Sequence, residues 1–271
     1  MRLIVRHRTT YSYASPVFAA IQTLRLTPRS YEALAVHRWS VRSDQRRPLP
    51  SFTDGFGNIT HCHSVVQAHT EATIFVEGEV ETTNTFGIVR GATEPLPPMF
   101  YLRRTPLTEA DEAIQAMAGE IVSERSPLKR LHALLNLVRE RVDYRIGATD
   151  PSTTAAQALA EGAGVCQDHA HLFIAAARHL GVPARYLGGY LWTGVESQDY
   201  QASHAWAEAF VPDLGWVGFD AANRICTTEA YIRTSIGLDY WSASPVRGVR
   251  RGAADETLAV RVQVEQAGQE Q

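Results

Sequence analysis

The residues most able to do chemistry lie at 164–171, which read Gly-Val-Cys-Gln-Asp-His-Ala-His. The segment 172–180 that follows is apolar at helical spacing, so we expect Cys166 at a helix N-terminus. There, unpaired backbone N–H groups and the positive end of the helix dipole favour a thiolate and supply donors for a developing oxyanion. The pattern indicates a cysteine nucleophile.

A cysteine that attacks a carbonyl needs a base, and the base needs a third group to fix its tautomer. His204 and Asp220 are the candidates, and they lie 16 residues apart. A hairpin turn centred on Pro212 would put them nearly opposite each other, and one centred on Leu214 would leave them on one face but offset along the strands. A two-residue turn would put them on opposite faces.

Metal binding is the chemical alternative for Cys166, His169 and His171. On a helix, positions 169 and 171 point about 200° apart by the 3.6-residue period. The three side chains therefore cannot easily share one ion, and we expect no metal site.

The elements that position these residues divide into two domains. Residues 1–98 alternate at period two and predict a β domain, and a strand at about 256–266 is expected to return and complete it. Residues 105–250 predict an α+β domain with three helices before Cys166 and strands at 186–192, 202–211 and 216–220 packed against its helix. Signals for the three helix starts are Thr108 with Asp111, Ser126 with Pro127, and Thr154 with Gln157.

Composition limits the partners. The 271 residues carry a net charge of −3 and a pI near 6.4, which gives no basic surface for nucleic acid or an anionic membrane. The three cysteines are widely spaced and odd in number, which does not suggest a disulfide framework. With a polar N-terminus and no long apolar run, we expect a cytoplasmic protein that binds neither nucleic acid nor membrane.

Four ordered motifs together resemble the transglutaminase-like superfamily of cysteine enzymes, in its bacterial branch with an N-terminal β domain. They are Tyr-Arg-Ile-Gly-Ala-Thr at 144–149, Gly-Val-Cys-Gln-Asp at 164–168, Ser-His-Ala-Trp at 203–206 and Gly-Trp-Val-Gly-Phe-Asp at 215–220. The N-terminal Tyr-Ser-Tyr at 11–13, Leu-Arg-Leu-Thr-Pro-Arg at 24–29 and Phe-Gly-Asn at 56–58 also resemble that branch. So do Asp-Tyr at 239–240 and Pro-Val-Arg-Gly at 245–248.

The resemblance implies a papain-like transglutaminase core, with helices packed on an antiparallel sheet, beside an N-terminal β-sandwich-like domain. It implies that Cys166 is the nucleophile, His204 the base and Asp220 the residue that orients it. Tyr144, Gln167 and Trp206 are the candidate substrate-binding residues, although core packing explains Trp206 equally well.

The expected reaction is attack on an amide of a peptide or protein through a thioester, favouring hydrolysis by a peptidase or amidase and requiring no cofactor. Transamidation of glutamine and a non-catalytic peptide-binding or scaffold role are the alternatives.

Overall fold

The computed structural model describes residues 1–45, 48–194, 203–252 and 255–267. Six strands form the first part of the chain, and their alternating burial matches the period-two sequence pattern. They are β1 Arg2–Val17, β2 Ala19–Thr27, β3 Leu34–Ser43, β4 Ser51–Thr53, β5 Ile59–Val65 and β6 His69–Thr82.

These strands build a sandwich of two antiparallel four-stranded sheets with two strands from the C-terminal end. The added strands are β14 Val246–Arg251 and β15 Glu256–Gln266, and the sheet orders are β15-β1-β6-β3 and β14-β2-β5-β4. The inner faces meet in a cluster of Leu24 and Leu26 from one sheet with Ile74 and Val76 from the other.

The C-terminal strands change the expected domain boundary. Strand β15 pairs with β1 from Tyr13↔Glu256 to Leu3↔Gln266, where the alternating sequence predicts a returning strand. Strand β14 pairs with β2, so residues 246–251 lie in the N-terminal sandwich and not in the second domain, where 105–250 was expected to end. Strands β2 and β14 are more than 200 residues apart, so no local sequence signal indicates that they pair.

The described residues of the second domain form five α-helices: α1 Glu112–Gly119, α2 Pro127–Arg141, α3 Ala155–Glu161, α4 Cys166–His179 and α5 Tyr240–Ala243. Ser126 and Thr154 cap α2 and α3 as predicted. Asp111, and not Thr108, caps α1, because Asp111 accepts from the Ile114 amide and Thr108 ends a short 3₁₀ turn. Among the described residues no helix is both long and apolar enough to cross a membrane.

The helices pack on a five-stranded antiparallel sheet of order β12-β11-β10-β9-β13. Its strands are β9 Ala184–Leu191, β10 His204–Val211, β11 Gly215–Asp220, β12 Ile225–Cys226 and β13 Tyr231–Gly237. Ala202, expected to begin β10, lies outside the described residues. A short parallel pair, β7 Asp143–Tyr144 and β8 Ala163–Gly164, leads into α4, which is buried along most of its length. The fold is therefore α+β.

Candidate active site

Cys166 is the first residue of α4 and is half-buried. Asp168 in the first turn of the helix accepts a hydrogen bond from the Val165 amide at 2.8 Å, and its same oxygen accepts from the Thr149 hydroxyl at 2.6 Å. The bond from the Val165 amide fixes the backbone directly before Cys166. The Cys166 amide occupies a position where an α-helix supplies no acceptor of its own, so the helix geometry makes this N–H available to an oxyanion.

Asp168 is held in an enclosed position. Burial raises the pKa of its carboxyl, and the hydrogen bonds from Thr149 and Val165 only partly oppose that rise. Gly164 packs directly on it, since a Cβ at this glycine would lie 2.7 Å from the Asp168 Cβ. The glycine before the cysteine therefore serves close packing.

The two histidines of α4 are engaged in the protein interior. The ring nitrogens of His169 lie 2.8 Å from the Val165 carbonyl oxygen and 2.9 Å from the Val142 carbonyl oxygen. His171 accepts from the Tyr240 amide at 3.0 Å through Nε2, and burial lowers its pKa to about 3. Both side chains tie the helix to neighbouring segments.

The hairpin of β10 and β11 brings His204 and Asp220 to one end of the sheet. Val211 pairs with Gly215, so the turn is three residues long and centred on Asp213, between the two centres that the spacing allowed. Asp213 and Gly215 both adopt left-handed backbone angles, with φ of +68° and +84°. Continuing this register leaves His204 and Asp220 on one face and offset by two residues, a diagonal that long side chains can span.

The His204 and Asp220 side chains span this diagonal offset and hydrogen-bond each other. His204 Nε2 lies 2.6 Å from Asp220 Oδ2, and the imidazole also hydrogen-bonds the Cys166 side chain. Because Nε2 is taken by Asp220, Nδ1 is the nitrogen left for Cys166. Burial alone lowers the pKa of His204, but its bonds to Asp220 and Cys166 and their charges outweigh burial and raise that pKa to about 10. The geometry favours an imidazolium.

Asp220 has two further partners that the sequence reasoning missed. The Tyr231 hydroxyl donates to Oδ2 at 2.6 Å, and the Asn223 side chain donates to the same oxygen at 2.7 Å. Burial of Asp220 raises its pKa, but the bonds from His204, Tyr231 and Asn223 outweigh burial and lower it. Asn223 follows Asp220 by three residues, which a turn signal could have identified, whereas Tyr231 comes from another strand.

The three candidate substrate-binding residues occupy different environments. Tyr144 is 45 % exposed and pairs with Gly164 in the strand pair that leads to Cys166. Gln167 is part-exposed and donates to the Pro151 carbonyl at 3.4 Å. Trp206 is only 2 % exposed and stacks on the His204 ring, with centroids 6.2 Å apart. Tyr144 and Gln167 thus present surface beside the segment that carries Cys166, while Trp206 supports the imidazole from within the core.

Hydrogen bonds join the thiol, the imidazole and the carboxylate in series, and the thiol lies at the N-terminus of α4. The His204 side chain is 13 % exposed and the Asp220 side chain 1 %, so the imidazole borders solvent while the carboxylate is shielded behind it. Such a line can hold a thiolate next to an imidazolium and move a proton between the sulfur and a bound substrate.

Comparison with known proteins points to one superfamily. Residues 115–221 match the transglutaminase-like superfamily, and residues 3–81 match the bacterial transglutaminase-like N-terminal region. An uncharacterised protein of Mycobacterium leprae is 31 % identical over 96 % of this chain and 98 % of its own length. An uncharacterised protein of Mycobacterium tuberculosis is 29 % identical over 92 % of this chain and 87 % of its own.

The fold also matches a solved structure. The crystal structure of a protein described as a candidate cysteine protease, from Cytophaga hutchinsonii, superposes with a TM-score of 0.79 at 20 % identity, covering 99 % of this chain and 92 % of that one. The chain is therefore a cysteine-based enzyme of the transglutaminase-like superfamily, in the branch that carries a bacterial transglutaminase-like N-terminal region.

Proposed function

We propose that this protein cleaves amide bonds of peptides or proteins through a thioester on Cys166. The observation that carries the proposal is the line from Cys166 through His204 to Asp220, with the sulfur at the N-terminus of α4. A half-buried thiol bonded to a histidine that is itself fixed by a buried carboxylate is the arrangement that acyl transfer by a cysteine requires.

The reaction begins with the thiol proton on His204. The thiolate attacks the amide carbonyl carbon, a C–S bond forms, and the oxyanion faces the amide N–H of Cys166. His204 gives its Nδ1 proton to the amide nitrogen as the C–N bond breaks, and the amine leaves. A water molecule then attacks the thioester carbonyl carbon and loses a proton to His204. The C–S bond breaks, which releases the carboxylic acid and restores the Cys166 thiolate beside the imidazolium.

Asp220 keeps Nε2 of His204 protonated and Nδ1 directed at the sulfur throughout this cycle. Because it is ionised and buried, it also stabilises the imidazolium that forms when the thiol proton is transferred. Tyr144 and Gln167 are proposed to line the acyl site on the surface beside Cys166.

Transamidation shares every step up to the thioester and differs only in whether water or an amine attacks it. We favour hydrolysis because water needs no second binding site. Incubation with a peptide mixture in H₂¹⁸O, with and without a primary amine, separates the two: hydrolysis places ¹⁸O in new carboxyl groups, and transamidation adds the amine to glutamine side chains.

The direct test of the nucleophile is the rate of iodoacetamide labelling at Cys62, Cys166 and Cys226 between pH 5 and 9, followed by peptide mass spectrometry. We expect Cys166 to label preferentially at pH 6 and to lose that preference in His204→Ala. Burial raises the pKa of Cys226 to about 11, which makes it an internal control for an inactive thiol.

If Cys166 labels no faster than Cys62 or Cys226, and only above about pH 8 as for an ordinary thiol, the proposal is contradicted. A scaffold role would then be favoured, and it would predict that Cys166→Ala keeps the full biological activity of the protein.

A further inference from the structure

One oxygen of Asp220 accepts three hydrogen bonds. Oδ2 receives His204 Nε2 at 2.6 Å, the Tyr231 hydroxyl at 2.6 Å and Asn223 Nδ2 at 2.7 Å, while Oδ1 receives the Asn223 amide at 3.2 Å. Donors that share one acceptor oxygen compete for its charge. The strength of the His204–Asp220 bond therefore depends on the other two donors.

We propose that Tyr231 is a positioning residue that shares Oδ2 of Asp220 with His204 and so limits how tightly the carboxylate holds the imidazolium. The inference rests on the proposed function, in which His204 must hand its proton to the leaving amine. A carboxylate free of Tyr231 would hold that proton more strongly and make His204 a weaker acid.

Tyr231 is suited to this role because its hydroxyl remains a donor. Burial and the Asp220 carboxylate raise the pKa of Tyr231, so the hydroxyl stays protonated at neutral pH. The residue is 5 % exposed and packs against Trp206 and the His204 ring. Its hydroxyl acts on the reaction through Asp220, and the residue has almost no surface for a substrate.

The strand that carries Tyr231 is held from the N-terminal domain. In β13, the Ile236 amide and carbonyl bond to the Asn58 side chain at 2.8 Å each, and the Arg233 guanidinium lies 4.7 Å from the Tyr31 ring centre. Ile232 is buried in a cluster with Leu3 and other residues of the first sheet. These contacts fix β13 directly after Tyr231, which is its first residue, and so keep the hydroxyl at the carboxylate.

The test compares Tyr231→Phe with Tyr190→Phe. Tyr190 lies on β9 at the same domain interface, is equally buried, and bonds His7 at 2.9 Å without contacting Asp220. The readout is the pH at which the His204 ring loses its proton, followed by NMR of histidine-labelled protein and assigned from the signal lost in His204→Gln.

We expect this pH to rise by at least about 0.5 unit in Tyr231→Phe, and to stay at the wild-type value in Tyr190→Phe. A general loss of packing would move melting temperatures in both variants but would not raise the His204 titration in one of them. An unchanged or lowered titration in Tyr231→Phe would overturn the inference.

Asn223→Ala keeps the inference testable if Tyr231→Phe does not fold, because Asn223 lies on a turn and also donates to Oδ2. Its removal is expected to shift the His204 titration upward as well, and no shift would again count against oxygen sharing. Labelling of wild-type Cys166 tests the proposed function separately. A wild-type protein with an activated Cys166 and an unmoved titration in both variants overturns only the role of Tyr231.

Discussion

Burial and hydrogen bonding have opposite effects on the pKa of the Asp220 carboxyl. A fully buried carboxyl would ordinarily take up a proton, yet four hydrogen bonds from three residues keep it ionised. Of the three residues that donate to Oδ2, His204 is the one that can carry a positive charge, so the carboxylate charge stabilises its imidazolium. Removing the charge while keeping the shape of the side chain isolates its effect.

Asp220→Asn is expected to lower the pKa of His204, because the carboxylate is a principal cause of its elevation. Labelling of Cys166 by iodoacetamide at pH 6 should fall by roughly tenfold or more, the change that one pKa unit of lost charge stabilisation gives. Asp213→Asn is the matched control, since Asp213 lies on the same hairpin in a left-handed conformation that asparagine also adopts. Labelling that is equal in the two variants would contradict the role of the charge.

The raised pKa of His204 also predicts how stability depends on pH. Its pKa is about 10 in the folded protein and about 6.5 when unfolded, so the imidazolium stabilises the fold fully below pH 6.5. That contribution is lost as pH rises from 6.5 through 10. Urea unfolding of wild type and His204→Gln should therefore show a difference in unfolding free energy that shrinks between pH 6.5 and 10. A difference that stays constant would be inconsistent with this pKa.

The N-terminus of α4 depends on packing as well as on hydrogen bonds. Gly164 and Asp168 lie in such close contact that no side chain fits at position 164. Asp168 in turn holds the Val165 amide, and Val165 precedes the proposed nucleophile. Displacing the carboxylate would move the backbone that positions the sulfur.

Gly164→Ala is expected to lower the free energy of unfolding by about 1–3 kcal/mol, the usual cost of overpacking a buried site. It should also slow Cys166 labelling at pH 6, because the Val165–Asp168 bond is disturbed. Gly119→Ala is the matched control: it ends α1 with open space around it, so alanine should be neutral or stabilise by up to about 1 kcal/mol. Urea unfolding and labelling measure both effects, and wild-type values for Gly164→Ala would show that the site accommodates a methyl group.

The two domains share an interface that includes β13. Asn58 is 3 % exposed and pairs with both backbone groups of Ile236, as a neighbouring strand would. Thr82 adds a hydrogen bond to the Glu229 carbonyl at 2.6 Å, just before β13. The N-terminal sandwich therefore supports the sheet that carries His204 and Asp220.

Asn58→Ala should lower the free energy of unfolding by about 2–5 kcal/mol, because the side-chain hydrogen bonds to Ile236 and to Asp54 are lost and the Ile236 amide and carbonyl are left buried without them. Asn136→Ala is the control, since Asn136 is exposed on α2 and bonds only a carbonyl of its own helix. Urea unfolding followed by circular dichroism measures both. Equal stabilities would show that Asn58 adds nothing to the interface.

The local features of this protein follow from the sequence by itself. Helix caps act within three residues, so Ser126 and Thr154 could be placed, and Cys166 could be assigned to a helix start from the apolar period behind it. The even spacing of His204 and Asp220 allowed one shared face. The cap of α1 was misplaced because Thr108 and Asp111 both suit an N-cap, and in the structure Asp111 takes that position while Thr108 ends a 3₁₀ turn.

Features that depend on pairing between distant strands are set by the tertiary fold and are not visible in the local sequence. The three-residue turn at Asp213 chose the register among those the spacing allowed, because its left-handed residues suit the hairpin twist. Tyr231 reaches Asp220 from a strand that pairs with β9 and not with β11, and β14 leaves the second domain to pair with β2. Such contacts arise from the packing of whole sheets. Local sequence patterns therefore identify the reactive side chains, but the distances between those side chains are set only when the sheets assemble.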